Sequence, residues 1–362
     1  MMFKLQERNS NRYELSVVLL LFLFLVLYSK VEAFDQVVLR DSLNREVKIP
    51  GKVDRIVCLQ PELLRILVAL GQQEKVVAVD RFPVKYDHLL RIIFPEIVYL
   101  PVVSVTGEDA NVEKILSLRP DLVLVSPSEL FLTRQLSRKL RCPVVSLSAT
   151  GRLDRLLDEI EVLGRLTGSR NRSEELKRFL QDKISWLQNQ VTRVAASRKP
   201  RVYLSFWGSI LRSPVFYEPV EVAGGFNLTS KLRPIHQGSD TAVLTIEKIL
   251  SWDPEIILVH GNYPPEERKL TVEQVKSDPR LQSIQAVRAH RVHYTFGFWY
   301  WWDPALVLVE CYYLSQLFHP GLKNEFDLKV EAEAIFKFFY GKEGLFQTLC
   351  DRIKAHDWFR AD

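Results

Sequence analysis

One phrase occurs twice in this chain, and it constrains the fold more than any other feature. Residues 111–125 read NVEKILSLRPDLVLV and residues 245–259 read TIEKILSWDPEIILV, with 8 of 15 aligned positions identical. Each copy has a glutamate in an apolar helical stretch, then a proline turn, then a run typical of a buried parallel strand. The copies are 134 residues apart, whereas solenoid repeats recur at roughly 20–50 residues. The repeat therefore predicts two lobes built to a similar plan, with a ligand crevice between them.

The composition is that of an ordinary globular protein and narrows the classes of function. The 362 residues are 47% hydrophobic and 26% charged, which is enough for one large core or two ordinary ones. The net charge of +5 comes from scattered lysines and arginines, so nucleic-acid binding is not expected. No GxSxG, HExxH or paired-carboxylate motif is present, so no catalytic site is predicted.

The N-terminus has the three parts of a secretory signal. Basic residues precede a 14-residue apolar run at 15–28, and a V-x-A cleavage site ends at Ala33. A membrane span needs about 20 residues, so this run is short for one. We therefore expect a signal peptide at 1–33 and a periplasmic or extracytoplasmic protein. The alternative is an uncleaved N-terminal membrane anchor, because Glu7 and Glu14 are unusual in a signal.

The four cysteines, Cys58, Cys142, Cys311 and Cys350, form no CxxC pair and show no metal-ligand spacing. They are interpreted as small buried hydrophobic residues. An exported protein can also form a disulfide, and the spacing alone does not decide between these interpretations.

Strand and helix patterns alternate along most of the chain, which predicts parallel sheets covered by helices. A hairpin is expected at 34–50, and a helix at 303–318 is expected to be amphipathic. Strands are predicted at 55–59, 75–79, 121–125, 142–147, 201–206, 255–259 and 291–294, and helices at 61–70, 111–118, 152–166, 220–224, 245–251 and 331–340.

Residues 173–196 interrupt this alternation with one long helical pattern. Apolar residues recur at three- and four-residue spacing, Ser173 can cap the start, and Pro200 follows the end. At 1.5 Å per residue the helix would be about 36 Å long, enough to join two lobes. The predicted division is a signal at 1–33, a first lobe at 34–172, the connecting helix at 173–196, a second lobe at 197–320 and a helical tail at 321–362.

Five segments in order resemble the periplasmic iron-siderophore and cobalamin binding proteins, the solute-binding components of ABC importers. They are RIVCLQPELLRILVALGQQEKVVAVD (55–80), NVEKILSLRPDLVLV (111–125), EVAGGFNLT (221–229), TIEKILSWDPEIILV (245–259) and DPRLQSIQAVRAHRVH (278–293). The resemblance covers roughly residues 36–341. It implies a class III periplasmic binding protein fold: two Rossmann-like α/β lobes with mainly parallel sheets, joined by one long helix.

The resemblance also implies a non-enzymatic, monomeric receptor that delivers a metal chelate to a membrane permease. In such proteins a glutamate at the tip of each lobe pairs with arginines of the permease, and Glu113 and Glu247 stand at the matching positions. A ferric siderophore is the expected ligand, with haem or a corrinoid such as cobalamin next. Molybdate or tungstate is the alternative ligand class, and a chelatase-like metal enzyme is a more distant one. No cofactor or resident metal is expected.

Candidate ligand residues follow the predicted strands, because ligands of parallel α/β lobes meet the carboxyl ends of strands. Arg81 would attract an anion, and the aromatic segment FGFWYWW at 296–302 would supply walls for a bulky chelate. Alternatively, Arg81 forms a surface ion pair, half of the rings pack as core and the histidines are isolated. The predicted ligand residues are Pro61, Glu62, Arg81, Trp207, His260, Tyr263, Phe298, Trp299, Trp301 and Trp302.

Overall fold

The computed structural model describes residues 36–105, 109–149, 151–194, 199–236, 239, 241–261, 264–296, 298–299 and 301–359. The predicted signal peptide and Tyr263 lie outside these residues, as do the side chains of Phe298, Trp299 and Trp301. Across the described ranges, no helix has both the length and the hydropathy that a membrane crossing requires.

Fifteen strands are described, and most belong to two parallel sheets. The first sheet has the order β5-β4-β3-β6-β7 and the second the order β10-β8-β12-β13, and three two-stranded antiparallel sheets, β1-β2, β9-β11 and β14-β15, accompany them. The strands are β1 Val37–Arg40, β2 Glu46–Ile49, β3 Ile56–Cys58, β4 Val76–Asp80, β5 Val102–Ser104, β6 Leu122–Val125, β7 Val144–Ser146, β8 Arg201–Ser205, β9 Arg212–Pro214, β10 Phe226–Asn227, β11 Thr241–Val243, β12 Ile256–Val259, β13 Val292–Tyr294, β14 Phe298–Trp299 and β15 Trp301–Trp302.

The two sheets share one plan, as the repeated phrase predicts. β4-β3-β6-β7 of the first lobe corresponds in order to β10-β8-β12-β13 of the second. The two copies of the phrase supply β6 and β12, each paired with a central strand on one side and an outer strand on the other. The predicted fold class, two α/β lobes with parallel sheets, is therefore confirmed.

The helices cover the faces of the sheets, and one of them joins the lobes. They are α1 Pro61–Ala69, α2 Arg81–Tyr86, α3 His88–Ile93, α4 Val112–Ser117, α5 Leu130–Lys139, α6 Leu153–Thr167, α7 Arg170–Val194, α8 Pro219–Val222, α9 Ile246–Trp252, α10 Val272–Ser277, α11 Gln285–Arg288, α12 Pro304–Phe318, α13 Leu328–Tyr340 and α14 Leu345–Ile353. Short 3₁₀ turns occupy Gln73–Lys75, Pro95–Tyr99, Pro265–Glu267, Pro279–Leu281, Pro320–Asn324 and His356–Phe359.

The connecting helix begins three residues earlier than the sequence predicts. Gly168 ends α6 in the left-handed conformation, at φ +80°, and the chain enters α7 at Arg170. Ser173 is therefore not a cap: its N–H already donates to Ser169 O at 3.0 Å, and its hydroxyl donates to Arg170 O at 2.8 Å. The predicted end of the helix at residue 196 lies beyond its last described residue, Val194.

The helix α12 is buried on all sides rather than amphipathic, so that prediction is wrong. Its residues are buried throughout, with the exception of Leu317. It contacts the connecting helix α7, the short helix α8 and the tail helix α13. Apolar sequences without a polar stripe are typical of helices that are enclosed in this way.

Apolar contacts run without interruption from one lobe to the other. The largest cluster includes Ile56 of the first sheet, Leu180 of the connecting helix, Leu258 of the second sheet and Phe336 of the tail. Because buried cores are close-packed, a cluster that spans both lobes restricts their relative movement.

The lobes also contact each other directly at Gly151, through hydrogen bonds. Glu218 of the second lobe donates its N–H to Gly151 O at 2.9 Å, and its carboxylate accepts from Leu153 N at 2.6 Å. The second lobe thus caps the first turn of α6. Gly151 has φ +87°, and a Cβ there would lie 2.2 Å from the carbonyl oxygen of Phe216.

We expect Gly151→Ala to lower the free energy of unfolding by at least about 2 kcal/mol, because the substitution combines left-handed strain with a backbone clash. Gly168→Ala is the matched control. Gly168 has φ +80°, but a Cβ there would meet nothing within 4 Å, so only the backbone strain of about 1 kcal/mol applies. Urea denaturation of the three proteins measures the difference, and equal losses would contradict a close approach at Gly151.

Candidate functional site

The first wall of the candidate site is the segment after β4, which carries positively charged side chains and aromatic rings. Asp80 caps α2 by accepting from Phe82 N at 2.7 Å, and Ser104 Oγ donates to its other oxygen at 2.6 Å. Arg81, the next residue, is exposed, as a residue that meets an anion must be. One turn later, the Lys85 ammonium lies 4.9 Å from the ring centre of Tyr86. Helical spacing therefore gives this wall two cations where the sequence analysis identified only one.

The second wall follows β8 and β12 and is aromatic. Trp207 has φ +50° and is 39% exposed, which is unusual for so large an apolar side chain. Its ring meets Phe206 edge-on at 5.3 Å and His260 edge-on at 6.0 Å. His260 is buried and stacks on Phe206 at 4.8 Å. His260 thus supports Trp207 rather than presenting an open metal ligand.

The two walls meet through a contact between a histidine and a glutamate of opposite lobes. His88 Nε2 of the first lobe lies 3.6 Å from Glu267 Oε1 of the second. Burial lowers the pKa of His88, the nearby Arg352 and Arg91 lower it further, and Glu267 opposes this shift. On the second wall, a Cβ at Gly208 would lie 2.4 Å from the Lys269 side chain, so Lys269 packs directly against the residue after Trp207. The segments after β4, β8 and β12 are therefore neighbours.

Pro61 and Glu62 open α1 but are buried rather than exposed to a ligand. Glu62 accepts from Ser148 Oγ at 3.1 Å and from Ala149 N at 3.2 Å, so it ties α1 to the segment after β7. In this arrangement Glu62 organises the edge of the first sheet, and its predicted contact with a ligand stays a prediction.

The aromatic segment forms the hairpin β14–β15, and its last ring lies in the core. Trp302 is 1% exposed and meets Tyr217 edge-on at 6.0 Å. A ring packed in this way offers no surface to a ligand, in line with the alternative that part of the segment is core. The predicted contacts of Phe298, Trp299 and Trp301 depend on side chains outside the described part of the chain, as does that of Tyr263.

Several residues at the site were not predicted from the sequence. Lys85 adds a charge to the first wall, and His88 and Glu267 meet between the lobes. Phe131, in the first turn of α5, is 73% exposed after the carboxyl end of β6. The i, i+4 spacing of Arg81 and Lys85 was a usable signal. No local pattern could pair His88 with Glu267, because 179 residues separate them.

The predicted docking glutamates are exposed and equivalent. Glu113 and Glu247 are each the second residue of a short helix, and the residue before each helix, Asn111 or Thr245, accepts from the N–H three positions on, at 2.9 and 3.3 Å. A hydrogen bond from its own backbone N–H, and then one from the Thr245 side chain, hold the pKa of Glu247 below its usual value. Each helix leads by a tight turn into a parallel strand, so its N-terminus lies at the carboxyl edge of the sheet, beside the cleft.

A groove of about 920 Å³ lies elsewhere on the second lobe. It follows the edge strand β13 and is lined by residues that include His293, Tyr294, Tyr313, Lys323 and Trp358. None of the predicted ligand residues lines it, so it is not part of the candidate site.

The four cysteines are free thiols, and three of them are buried. Burial raises the pKa of Cys58 to about 12 and raises that of Cys311 well above its usual value. This arrangement agrees with their interpretation as small core residues. In the described residues no group of three or more His, Cys, Asp or Glu side chains could hold a metal ion.

A family profile described as periplasmic binding protein matches residues 56–296, which is more than half of the chain. The chain belongs to the periplasmic binding protein family. This membership confirms the predicted role as the solute-binding component of an ABC importer, and the family places such proteins outside the cytoplasm.

Two relatives are named for different solutes. The molybdate-binding protein MolA of Haemophilus influenzae is 25% identical over 338 residues, which are 84% of this chain and 90% of that protein. A cobalamin-binding protein of Halobacterium salinarum is 25% identical over 227 residues, 60% of this chain and 57% of that protein. The solved structure of MolA with molybdate has a TM-score of 0.69 at 22% identity, covering 85% of this chain and 98% of that one. These likenesses agree on the fold and differ in the solute.

Glu159 is a buried carboxyl beside Glu62 in the first lobe. Burial raises its pKa well above the usual value, and the charges of Glu62 and Asp158 add to this shift. Its Oε2 has no hydrogen-bond partner within the described ranges. An uncharged carboxyl is the form that such an environment favours.

We expect Glu159 to make the protein less stable as the pH rises. An unfolded glutamate releases its proton near pH 4.3, whereas folded Glu159 retains it to a higher pH, so the free energy of unfolding falls from about pH 4.3 up to the folded pKa. The fall can reach about 1.4 kcal/mol per pH unit. Glu159→Gln should remove this loss and raise stability near pH 8, as measured by urea denaturation across pH 4–9.

The matched control for this prediction is Glu161→Gln, two residues away. Lys177 lowers the pKa of Glu161, so its contribution is present above pH 4.3 and is lost as the pH falls. Removing it should slightly lower stability near neutral pH. A Glu159→Gln profile parallel to that of the unmodified protein would contradict a protonated Glu159.

Proposed function

We propose that this protein binds a bulky, anionic metal chelate between its lobes, with a ferric siderophore as the first candidate and haem or a corrinoid next. The observation that carries the proposal is the pair of walls. Arg81 and Lys85 present positive charge on one side, and the exposed ring of Trp207 presents a flat apolar surface on the other. Cations attract an anionic chelate, and an aromatic ring gives a large contact area at a small cost in conformational entropy.

Molybdate or tungstate is the second candidate, and the specific support for it is MolA. That relative aligns along most of both chains, whereas the cobalamin-binding protein aligns over a shorter part. A small oxyanion would use Arg81, serine hydroxyls such as those of Ser126 and Ser128, and backbone N–H groups rather than the face of Trp207.

The ligand would be cargo rather than a cofactor, and the protein would be a monomeric receptor without catalytic activity or nucleic-acid partners. Residues 1–33 would direct export, followed by cleavage before Phe34. Glu113 and Glu247 would then bring the loaded protein to its permease by pairing with basic residues, since both stand exposed at the cleft edge of their lobes.

Titration should separate the two ligand classes. A ferric siderophore, haemin or cyanocobalamin is expected to quench tryptophan fluorescence. Under this proposal the exposed ring of Trp207 would contact the ligand directly, so Trp207→Ala should weaken binding by about 1–3 kcal/mol. Trp186→Ala is the matched control: Trp186 is 37% exposed on the connecting helix, where it stacks on Tyr312, away from the cleft. Tight binding of molybdate or tungstate, with no response to the bulky chelates, would overturn the first proposal in favour of the second.

Charge reversal should separate ligand binding from delivery. Glu113→Lys with Glu247→Lys is expected to abolish uptake of the ligand by cells while the isolated protein binds it normally, because close interfacial charge pairs are worth about 1.5–7 kcal/mol. Glu96→Lys with Glu325→Lys is the control, since both acids are exposed and Glu96 lies at the opposite edge of the first sheet, before β5.

Normal uptake by the Glu113/Glu247 variant would exclude these residues from docking. Fractionation of the cell envelope, which is needed to show that the variants are exported, also tests the N-terminus. A protein that begins at Phe34 fits a cleaved signal, whereas an intact Met1 on membrane-bound protein fits an anchor.

A further inference from the structure

One buried guanidinium lies where three segments with predicted ligand residues come together. Arg65 is on α1, one turn after Pro61. It forms ion pairs with Asp87, which directly follows the wall segment Arg81–Tyr86, and with Asp303, which directly follows the hairpin strand Trp301–Trp302. The first two segments belong to the first lobe and the third to the second.

The cluster is closed to solvent. The side chains of Arg65 and Asp303 are 0% exposed, and that of Asp87 is 1% exposed. Arg65 Nη2 donates to Asp87 Oδ2, and Arg65 Nε lies 3.9 Å from Asp303 Oδ2. An arginine remains charged in proteins, so at such a site both carboxylates must stay close to it.

Each carboxylate is also held by the start of its own helix. Asp87 Oδ1 accepts from Leu90 N at 2.9 Å, and Asp303 Oδ1 accepts from Ala305 N and Leu306 N, both at 2.9 Å. In both residues one oxygen caps a helix while the other faces Arg65. The guanidinium therefore orients α3 and α12, and with them the wall segment and the hairpin that precede these helices.

The tail joins the same cluster. The hydroxyl of Tyr340, near the end of α13, donates to Asp303 Oδ2. Burial raises the pKa of Tyr340, and Asp303 raises it further, so the hydroxyl retains the proton that it donates. α1 also contacts β15 directly, which brings the hairpin against the helix that carries Arg65.

We propose that Arg65 is the positioning residue of the ligand site: by holding Asp87 and Asp303 together, it sets the spacing between the wall segment and the aromatic hairpin without touching the ligand. This inference rests on the proposed function in placing the ligand between the lobes. The planar guanidinium presents Nη2 and Nε in a fixed geometry, which the single ammonium of lysine does not reproduce.

The test compares Arg65→Lys, which keeps the charge, with the unmodified protein. In protein labelled with 5-fluorotryptophan and free of ligand, the ¹⁹F resonance of Trp302 should shift or broaden, whereas that of Trp252, which packs against Tyr203 in the second lobe, should not. The dissociation constant for whichever of the ferric siderophore, haemin, cyanocobalamin, molybdate or tungstate the unmodified protein binds should rise about 10- to 100-fold, because small displacements of positioning groups are costly.

Arg172→Lys is the matched control. Arg172 holds the tail through Phe338 O and the last residue of α1 through Ala69 O, at 3.2 Å, but none of its hydrogen bonds reaches the wall segment Arg81–Tyr86 or the hairpin. Its replacement should leave both readouts unchanged. If Arg65→Lys fails to fold, Tyr340→Phe removes one hydrogen bond of the same cluster, and it should move the Trp302 resonance and weaken binding about threefold.

An unchanged Trp302 resonance or an unchanged dissociation constant in a folded Arg65→Lys protein would overturn the inference. Equal effects of Arg65→Lys and Arg172→Lys would also overturn it, because they would indicate a general loss of stability. If the unmodified protein binds none of the five probes, the proposed function fails, and the ¹⁹F comparison still decides whether Arg65 positions the hairpin.

Discussion

Arg65 carries its charge at a point where no part of its side chain reaches solvent, so its two acidic partners must remain in place for the fold to persist. Breaking such a buried pair by removing one partner costs about 3–5 kcal/mol. Asp87 and Asp303 come from different lobes, and each also begins a helix. The stability of the local helices and the arrangement of the lobes therefore depend on the same few atoms.

Other contacts reinforce this arrangement. The carboxylate of Glu218 caps a helix of the opposite lobe, the α7 helix runs between the two sheets, and one apolar cluster includes residues of both. A hinge needs a few residues that can change their backbone angles while little else resists. Here the Arg65 cluster, the cap from Glu218 and the shared apolar core all resist a change in the angle between the lobes. We therefore expect small lobe movements and a cleft that is largely formed before the ligand binds.

The chemistry of the cleft, rather than the fold, has to decide the ligand. Relatives of the same family are named for molybdate and for cobalamin, which differ greatly in size. The same lobes can hold either, because the segments after the strands vary while the sheets persist. In this protein those segments place Arg81 and Lys85 on one side and Trp207 on the other, a combination that suits an anion with a flat apolar body.

Some site residues could be predicted from local order along the chain, and others could not. Arg81 and Trp207 directly follow strands, so their place at the carboxyl edge follows from the periodicity of the strands alone. Trp302 shows the opposite case. It lies in a run of aromatic residues, and nothing in that run indicates which ring faces the core. Tertiary packing placed Trp302 in the core.

By itself the sequence determined the two-lobed α/β plan, the parallel strands, the connecting helix and the equivalence of Glu113 and Glu247. These features follow from hydrophobic periodicity and from a repeat, both of which are visible in the chain without any knowledge of its packing. Only the tertiary structure decided that Arg65 pairs with Asp87 and Asp303, that His88 meets Glu267 and that Glu218 caps a helix of the other lobe. Each of these contacts joins residues that are far apart in the chain and that meet only because of how the sheets and helices pack. The charge or hydropathy at one position does not indicate which distant residue will be its partner.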